Sequence, residues 1–265
     1  MARVAASLIT VIALVARPAA AQGAAQQGAA PATGRDVIQG MRDGYGGRWY
    51  RTLTFVQKTT KRLPDGRDTV STWYESVRWT DAKGTELRID IGPPALGNGV
   101  LYTADSVWIF RGGALSAHRA GGNALLPLIL GVYVQPVDRT LAELRAIGID
   151  WTRPALRGTW KGRAVWIAGA SSAADSTSPQ LWVDAENHMM VRAIFPPVPS
   201  AAVMDMRFEG IERAGAGWLA TVNEFYVKGA LAQREDYRDW KADVALSPQL
   251  FDPATYGTAP HWAVP

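Results

Sequence analysis

Short runs of alternating apolar and polar residues recur along most of this chain, and turn residues separate them. In the first run, residues 49–58, Leu53 and Phe55 fall on one side of an extended backbone, whereas Thr52 and Thr54 fall on the other. This two-residue period is typical of a β-strand with one buried face. A chain built from such runs is expected to form an antiparallel sheet whose neighbouring strands are joined by short turns.

About ten runs of this kind can be recognised. They cover residues 49–58, 72–79, 86–91, 100–102, 107–110, 164–168, 180–184, 189–195, 203–209 and 218–228. Pro64-Asp65-Gly66 and residues 184–188 have the composition of hairpin turns. Most strands are therefore expected to pair with the strand that follows them in the sequence.

Three helical segments interrupt the strands. Thr33 is a suitable cap for the first helix, which Gly44 is expected to end. The second covers an apolar run in residues 123–131 and is expected to end at its final glycine, whereas Asp138 can cap a third that ends before Gly148. The sequence therefore predicts a mainly β fold of the α+β class, an antiparallel meander that curls around short helices.

The N-terminal residues have the organisation of a secretory signal peptide. Arg3 precedes a mostly apolar stretch, and Ala19-Ala20-Ala21 supplies a cleavage site of the A-x-A type. We expect a signal peptide at residues 1–21, a flexible Ala/Gln-rich linker at residues 22–33 and one folded domain at residues 34–265. The chain has no cysteine to carry a lipid, so a free periplasmic protein is expected, with an uncleaved membrane anchor as the alternative.

Composition and motifs argue against several functional classes. The 28 basic and 24 acidic residues are interspersed, so the chain lacks the basic patch of a nucleic-acid-binding protein. The histidines, His118, His188 and His261, lie far apart and match no metal-binding spacing. The sequence contains no nucleophile elbow and no phosphate-binding loop. We therefore expect no metal, no cofactor and no catalytic residue.

Two segments carry an unusual amount of apolar surface. In residues 203–209, the side chains of Met204, Met206 and Phe208 share one face, and methionine adapts well to irregular ligands. Residues 125–130 are apolar nearly all round, so this helix must be buried in the core or must cover a hydrophobic cavity. An ordinary core and a ligand-binding cavity both satisfy the pattern.

Several segments, taken in order, resemble the LolA/LolB-like superfamily of periplasmic lipoprotein carriers and sensors. The most specific is Gln180-Leu181-Trp182-Val183-Asp184 with residues 185–195, which is similar to the family's strand, WVD turn and returning strand. Residues 36–59, 106–110, 123–131 and 246–253 are similar to its opening helix and strand, aromatic strand, apolar helix and C-terminal segment. The resemblance implies a curved antiparallel half-barrel of about ten strands, wrapped around short helices and enclosing a lipid-binding cavity.

The resemblance places a hydrophobic cavity on the apolar face of the sheet. The residues expected to line it are Leu53, Phe55, Trp73, Val77, Leu87, Ile89, Trp108, Phe110, Leu126, Ile129, Met204, Met206, Phe208 and Phe225. In the family's lipoprotein carriers an arginine near the second strand contacts the helical lid. Arg78 is the nearest match, although no proline follows it here.

A polar pair is expected at the same cavity. Arg51 and Glu75 lie on the apolar faces of the first two strands, and pairing of these strands is expected to bring them together as a salt bridge. The alternative is that both side chains reach out at the rim.

These expectations favour a non-enzymatic periplasmic binding or carrier protein that holds an acyl chain, a lipoprotein or another hydrophobic ligand. Its expected partners are that ligand and an envelope protein, with peripheral contact to the membrane, and residues 123–131 are expected to act as a movable cover. Three alternatives stay open: an envelope-lipid sensor acting through a partner protein, an enzyme using the same cavity, and a cavity-free scaffold. A purely apolar lining favours carriage, whereas convergent carboxylate, tyrosine and arginine side chains favour an enzyme.

Overall fold

The computed structural model of the protein describes residues 30–196 and 202–263. The expected signal peptide and most of the expected linker lie outside the described residues, so the division of the N-terminal region stays a prediction. Pro31–Pro265 is one compact unit. Near its start, Thr33 forms an isolated β-bridge with Pro154, and the N–H of Ala155 donates a hydrogen bond to the carbonyl of Ala32 at 3.0 Å.

Thirteen strands among the described residues form a single antiparallel sheet. They are β1 (Thr52–Arg62), β2 (Asp68–Thr80), β3 (Gly84–Ile91), β4 (Gly99–Tyr102), β5 (Ser106–Arg111), β6 (Ala114–Ala120), β7 (Leu156–Trp160), β8 (Arg163–Ala168), β9 (Gln180–Asp184), β10 (Met190–Phe195), β11 (Met204–Ala214), β12 (Gly217–Val227) and β13 (Ala230–Ala242). Their order across the sheet is β6-β5-β4-β3-β2-β1-β13-β12-β11-β10-β9-β8-β7. Sequential hairpins therefore build each half, and β13 joins the halves by pairing with β1.

The two outer strands, β6 and β7, do not pair with each other, so the curved sheet is an open half-barrel. The predicted mainly β fold of the α+β class is confirmed, with three strands more than the sequence indicated. β6, β7 and β13 are the additional strands. The predicted turn at Pro64-Asp65-Gly66 joins β1 to β2, and the predicted turn at residues 184–188 joins β9 to β10.

The first helix, α1 (Gly34–Asp43), begins at its predicted cap. The Thr33 hydroxyl accepts a hydrogen bond from the N–H of Asp36 at 3.3 Å, and the Asp36 carboxylate accepts one from the N–H of Thr33 at 2.9 Å. This reciprocal capping box satisfies two backbone donors that the helix itself leaves free. The helix ends at Gly44, as predicted.

The second helix differs from its expected form. A π-helical turn, Pro127–Gly131, continues directly into the short helix α2 (Val132–Val134), and these residues, 127–134, are here called the central helical segment. The prediction that Gly131 ends the helix is wrong, because its backbone is helical at φ −52° and ψ −44°. The segment stops at Gln135, whose backbone is extended since Pro136 follows it.

The third helix, α3 (Val137–Glu143), tightens into a 3₁₀ turn, Leu144–Ile147, and ends at Gly148. Its N-cap is Pro136, so the prediction that Asp138 caps it is wrong. Asp138 lies in the first turn instead, where a negative charge is favourable, and it accepts a hydrogen bond from Arg35 at 2.8 Å. Among the described residues, no helix has the length and apolar character needed to cross a membrane.

The main hydrophobic core lies inside the half-barrel and includes residues from the concave face of the sheet, from α1 and from the central helical segment. Leu53 of β1 and Leu130 of the central helical segment are completely buried there. Full burial of a side chain of this size contributes about 1.5–3 kcal/mol. The apolar character of residues 125–130 is thus explained by their position within the half-barrel.

The convex face of the sheet carries a second, smaller core formed with the C-terminal segment. Phe110 of β5 stacks on Tyr256 with ring centroids 3.8 Å apart. Beside them, Arg88 forms a bidentate ion pair with Asp90 at 2.7 and 2.8 Å, and the Asp90 carboxylate also contacts His261 Nε2 at 3.1 Å. Arg88 and Asp90 are both buried, so this network holds the C-terminal segment on the back of β3 to β5.

Candidate ligand-binding cavity

A cavity of about 70 Å³ lies between the concave face of the sheet and the central helical segment. Its walls come from β1, β2, β3, β10, β11, β12 and β13, from single residues just before β1 and β10, and from the central helical segment. The lining residues are Tyr50, Leu53, Phe55, Glu75, Val77, Leu87, Leu128, Ile129, Tyr133, Met189, Met190, Phe208, Trp218, Leu219, Ala220, Asn223 and Tyr237. Apolar side chains make up most of this surface, which is typical of a small-molecule or lipid site.

Strand alternation explains why the apolar side chains converge. Leu53 of β1 pairs with Val77 of β2, and Val77 pairs in turn with Leu87 of β3, so the three side chains project from one face. Phe208 of β11 reaches the same face through its pairing with Asn223 of β12. Because neighbouring strands twist, these rows form a curved wall instead of a flat one.

The central helical segment is anchored mainly at its C-terminal end. The ring of Tyr133 stacks on Trp49 with centroids 3.7 Å apart, and its hydroxyl donates to the carbonyl of His188 at 3.3 Å. The next residue but one, Gln135, donates to Glu143 at 2.8 Å and accepts from the Trp79 indole at 3.2 Å. These contacts fix the end of the segment that lies farthest from Leu128 and Ile129.

The N-terminal end of the segment has fewer polar contacts. The side chain of Asn123 accepts a hydrogen bond from the N–H of Leu125 at 3.0 Å, but the π-helical turn itself is capped at Leu126, whose side chain makes no capping hydrogen bond. Gly121, just before it, has φ +100°, a conformation that residues with a β-carbon rarely adopt. The π-helical turn is itself an uncommon structure. Such turns occur mostly as single bulges within helices, and they are frequent at functional sites.

One part of the cavity wall is polar. Glu75 of β2 is only 5% exposed and lines the cavity, yet no described residue forms a hydrogen bond or ion pair with its carboxyl group. Burial raises the pKa of this carboxyl well above its usual value, and the nearby Glu235 carboxyl raises it further. The group therefore resists ionisation until a partner reaches it.

Further polar side chains surround Glu75 on β1, β12 and β13. Thr59 and Asn223 both pair with Glu235, so the three side chains lie on the same face. The Tyr237 hydroxyl donates to Glu235 at 2.9 Å. Burial raises the pKa of Glu235, and this hydrogen bond opposes the rise. Glu235 is thus satisfied by its neighbours, whereas Glu75 is not.

The residues expected to line the cavity divide into three groups. Leu53, Phe55, Val77, Leu87, Ile129 and Phe208 line it. Trp73, Ile89, Leu126, Met204, Met206 and Phe225 belong to the surrounding core inside the half-barrel without lining the cavity. Trp108 and Phe110 belong to the second core on the convex face, so their placement at the cavity is corrected.

The error over Trp108 and Phe110 has a simple cause. In a strand, alternate residues share a face, and Trp108 pairs with Leu101 of β4, which is buried in the second core. The sequence shows an apolar alternation in β5 but does not say which side of the sheet it faces. Both sides of the sheet are covered here, so apolar side chains occur on both.

The predicted salt bridge between Arg51 and Glu75 is wrong, and so is the alternative that both reach out at the rim. The hairpin places Glu75 opposite Phe55, whereas the carbonyl of Arg51 accepts a hydrogen bond from the N–H of Trp79 at 2.8 Å. Four residues along a strand correspond to roughly 13 Å. Arg51 is exposed, with its guanidinium 4.4 Å from the centre of a Trp79 ring, whereas Glu75 is buried.

Sequence patterns did not identify several residues of the cavity wall. These are Tyr50, Leu128, Tyr133, Met189, Met190, Trp218, Leu219, Ala220, Asn223 and Tyr237. The sequence of β12 does contain a signal, because Leu219 and Asn223 share the face of Phe225, one of the residues predicted to line the cavity. Tyr237 lies on β13, a strand whose polar composition hid it.

Comparison with known proteins supports the architecture. No family model matches the chain, and no curated protein matches it. A domain from Vibrio parahaemolyticus named for outer membrane lipoprotein sorting superposes with a TM-score of 0.58 at 11% identity, covering 84% of this chain and 97% of that one. A DUF1329 family protein from Desulfovibrio piger superposes with a TM-score of 0.57 at 14% identity, with the same coverage of both chains. A LolA superfamily protein from Nitrosomonas europaea superposes with a TM-score of 0.51 at 13% identity, covering 83% of this chain and 97% of that one. The fold is LolA-like.

The predicted resemblance is therefore confirmed at the level of the fold, which is what similarity at these identities shows. Within this LolA-like half-barrel, Arg78 does not contact the central helical segment. Its guanidinium pairs with Glu86 at 2.6 Å and lies 4.2 Å from the ring centre of Phe251, on the convex face. The role of a lid-contacting arginine is thus not transferred to Arg78.

Proposed function

We propose that this protein is a non-enzymatic binding or carrier protein of the periplasm that holds an acyl chain, a lipoprotein or another hydrophobic ligand inside its half-barrel. The observation that carries the proposal is the mostly apolar cavity between the sheet and a central helical segment that has no polar face. Close-packed protein interiors contain few voids larger than a water molecule, so a cavity of this size beside the helical segment favours a ligand site over an ordinary core.

The central helical segment has to move for a chain-like ligand to enter. A volume of about 70 Å³ holds only a small group, so an acyl chain must replace side chains such as Leu128 and Ile129. The segment is anchored at Tyr133 and more loosely held near Asn123, which favours a swing about its C-terminal end. Because the ligand and the displaced side chains bury similar apolar area at about 25 cal/mol per Å², both states lie within a few kcal/mol.

The cellular setting is supported by the predicted signal peptide and by the LolA-like fold, whose solved examples include a domain named for lipoprotein sorting. An envelope protein that delivers or receives the ligand, with peripheral contact to the membrane, fits this setting. A sensor of envelope lipids would use the same cavity and the same movement of the central helical segment.

A second candidate, an enzyme that uses this cavity, is favoured by one observation. Glu75 and Tyr237 line it, and Glu235 lies next to them. Fold alone does not distinguish a carrier from an enzyme. The residues described as lining the cavity include no arginine, so the set of carboxylate, tyrosine and arginine expected of an enzyme is incomplete.

The test is native mass spectrometry of the protein purified from the cell envelope, together with a titration of the delipidated protein with Nile red, an uncharged hydrophobic probe. Ala220→Leu adds three carbon atoms inside the cavity and should remove co-purified lipid and weaken Nile red binding about tenfold or more. The matched control is Ala230→Leu at an exposed position, which should change neither. The absence of co-purified lipid, together with equal probe binding by both variants, would overturn the proposal.

A further inference from the structure

The polar part of the cavity wall indicates which kind of hydrophobic molecule fits. Five polar side chains, Gln57, Thr59, Glu75, Asn223 and Glu235, are each at least 93% buried on neighbouring strands of the concave face. Burying polar groups is costly unless hydrogen bonds replace the water they lose. Such polar groups do not help a cavity to bind an acyl chain, so their clustering at one place in the cavity wall requires an explanation.

The internal hydrogen bonds leave part of this cluster unsatisfied. The Gln57 amide donates to Thr59 at 2.7 Å, and Tyr237 donates to Glu235 at 2.9 Å. Gln57 Oε1 and Asn223 Oδ1 are buried and have no partner among the described residues. The Glu75 carboxyl has none either, and both Glu75 and Asn223 line the cavity.

The charges of the site restrict what can occupy it. Two carboxyl groups, those of Glu75 and Glu235, lie close enough for the second to disfavour ionisation of the first. No lysine, arginine or histidine is present among the described residues that line the cavity. A carboxylate or phosphate group placed here would lose its hydration and would find no positive charge among the residues that line the cavity. Lys61, whose charge lowers the pKa of Glu235, is exposed near the end of β1.

We infer that Glu75 recognises the polar group of the ligand, and that this group is a hydrogen-bond donor, a hydroxyl or an ammonium, and not an anion. The inference rests on the proposed function and specifies its ligand class: a neutral or cationic amphiphile instead of a free fatty acid. A hydroxyl donates to the neutral carboxyl of Glu75, whereas an ammonium pairs with its ionised form. Asn223 provides a second polar partner for either group.

The test compares three amphiphiles that share one alkyl chain, dodecanol, dodecylamine and dodecanoate, each below its critical micelle concentration. Their dissociation constants are measured by displacement of Nile red from the delipidated protein. We expect dodecanol and dodecylamine to bind about tenfold or more tightly than dodecanoate, since a hydrogen bond to a buried charged or polar group has that effect. Glu75→Gln should reduce the ratio between amine and carboxylate about tenfold.

The control is Glu212→Gln, the same substitution at an exposed position of β11, which should leave the ratios unchanged. Glu75→Gln removes a buried unpaired carboxyl and keeps its shape, so the variant is expected to fold. Dodecanoate binding as tightly as the other two, or ratios that Glu75→Gln leaves unchanged, would overturn the inference while the proposed function stands. Failure of all three amphiphiles and of Nile red to bind the unaltered protein would overturn both.

Discussion

Two truncations in neighbouring turns, Leu126→Ala and Ile129→Ala, test whether the central helical segment is a movable cover or a fixed part of the core. Leu126 is 3% exposed, belongs to the main core and does not line the cavity. Ile129 is partly buried and forms part of the cavity wall. The two substitutions remove the same number of carbon atoms from different environments.

Their expected costs follow from those environments. Leu126→Ala should lower the free energy of unfolding by about 2–5 kcal/mol, as for other buried leucines, which corresponds to a fall in Tm of roughly 4–20 °C for a domain of this size. Ile129→Ala removes three carbon atoms worth about 0.8 kcal/mol each when fully buried, but this side chain is only partly buried. Its expected cost is therefore about 1 kcal/mol.

The two variants should also differ in ligand binding. Ile129→Ala enlarges the cavity of about 70 Å³ and removes a side chain that the ligand has to displace, so Nile red should bind several-fold more tightly. Leu126→Ala should leave the affinity of the folded protein unchanged. Urea denaturation followed by tryptophan fluorescence and Nile red titration provide the two measurements.

A fixed core helix gives a different pattern. In that case the costs in stability still differ, because they follow from the different burial of the two side chains, but the affinity of the folded fraction for Nile red is the same in both variants. This result would remove the movable cover and would leave the central helical segment as scaffold.

Three further predictions concern charges and processing. The folded-state pKa of Glu75 lies well above 4.5, so the contribution of this carboxyl to stability is present at lower pH and is lost as the pH rises towards the folded-state pKa. Urea titrations should therefore show that the stability of Glu75→Gln, relative to the unaltered protein, increases from pH 4.5 to pH 8. Arg88→Met leaves the buried Asp90 carboxylate without its bidentate partner and should lower the free energy of unfolding by about 3–5 kcal/mol. The control Arg62→Met, at an exposed ion pair, should lower it by about 0–1 kcal/mol, and equal costs would contradict the role of the buried pair. Intact-mass measurement of the exported protein should place its first residue at or within a few residues of Gln22, and a retained first methionine would contradict the signal peptide.

Strands that bury one face against the core could be predicted from the sequence, and those without such a face could not. β1, β2 and β12 alternate clearly because their inner residues are apolar. β6 is exposed along its whole length, so it has no pattern to detect. β13 alternates too, but its inner residues include Gln233, Glu235 and Tyr237, which an apolar pattern does not reveal.

The cavity was predictable to the same extent. The apolar residues of β1 to β3 were identified because alternation places them on one face. The polar wall could not be predicted, because the sequence pattern pairs Glu75 with Arg51, and the pairing of two side chains across a hairpin depends on register. Register is set by the turn between Arg62 and Asp68, and a change of two residues there moves every pair.

The pairing of β1 with β13 sets an order on the assembly of the molecule. Leu53 lies opposite Ala242, so the seam in the middle of the sheet joins residues that are 189 positions apart (242 minus 53). Each half can form hairpins as it is synthesised. Until β13 is made, however, β1 and β12 each have an unpaired edge, because β13 lies between them in the sheet. Such long-range pairing slows folding, because the chain loses the entropy of closing a long loop before the contacts between its distant parts stabilise the structure. The sheet of the described residues is therefore complete only after β13, the last of its strands in the sequence, has been made.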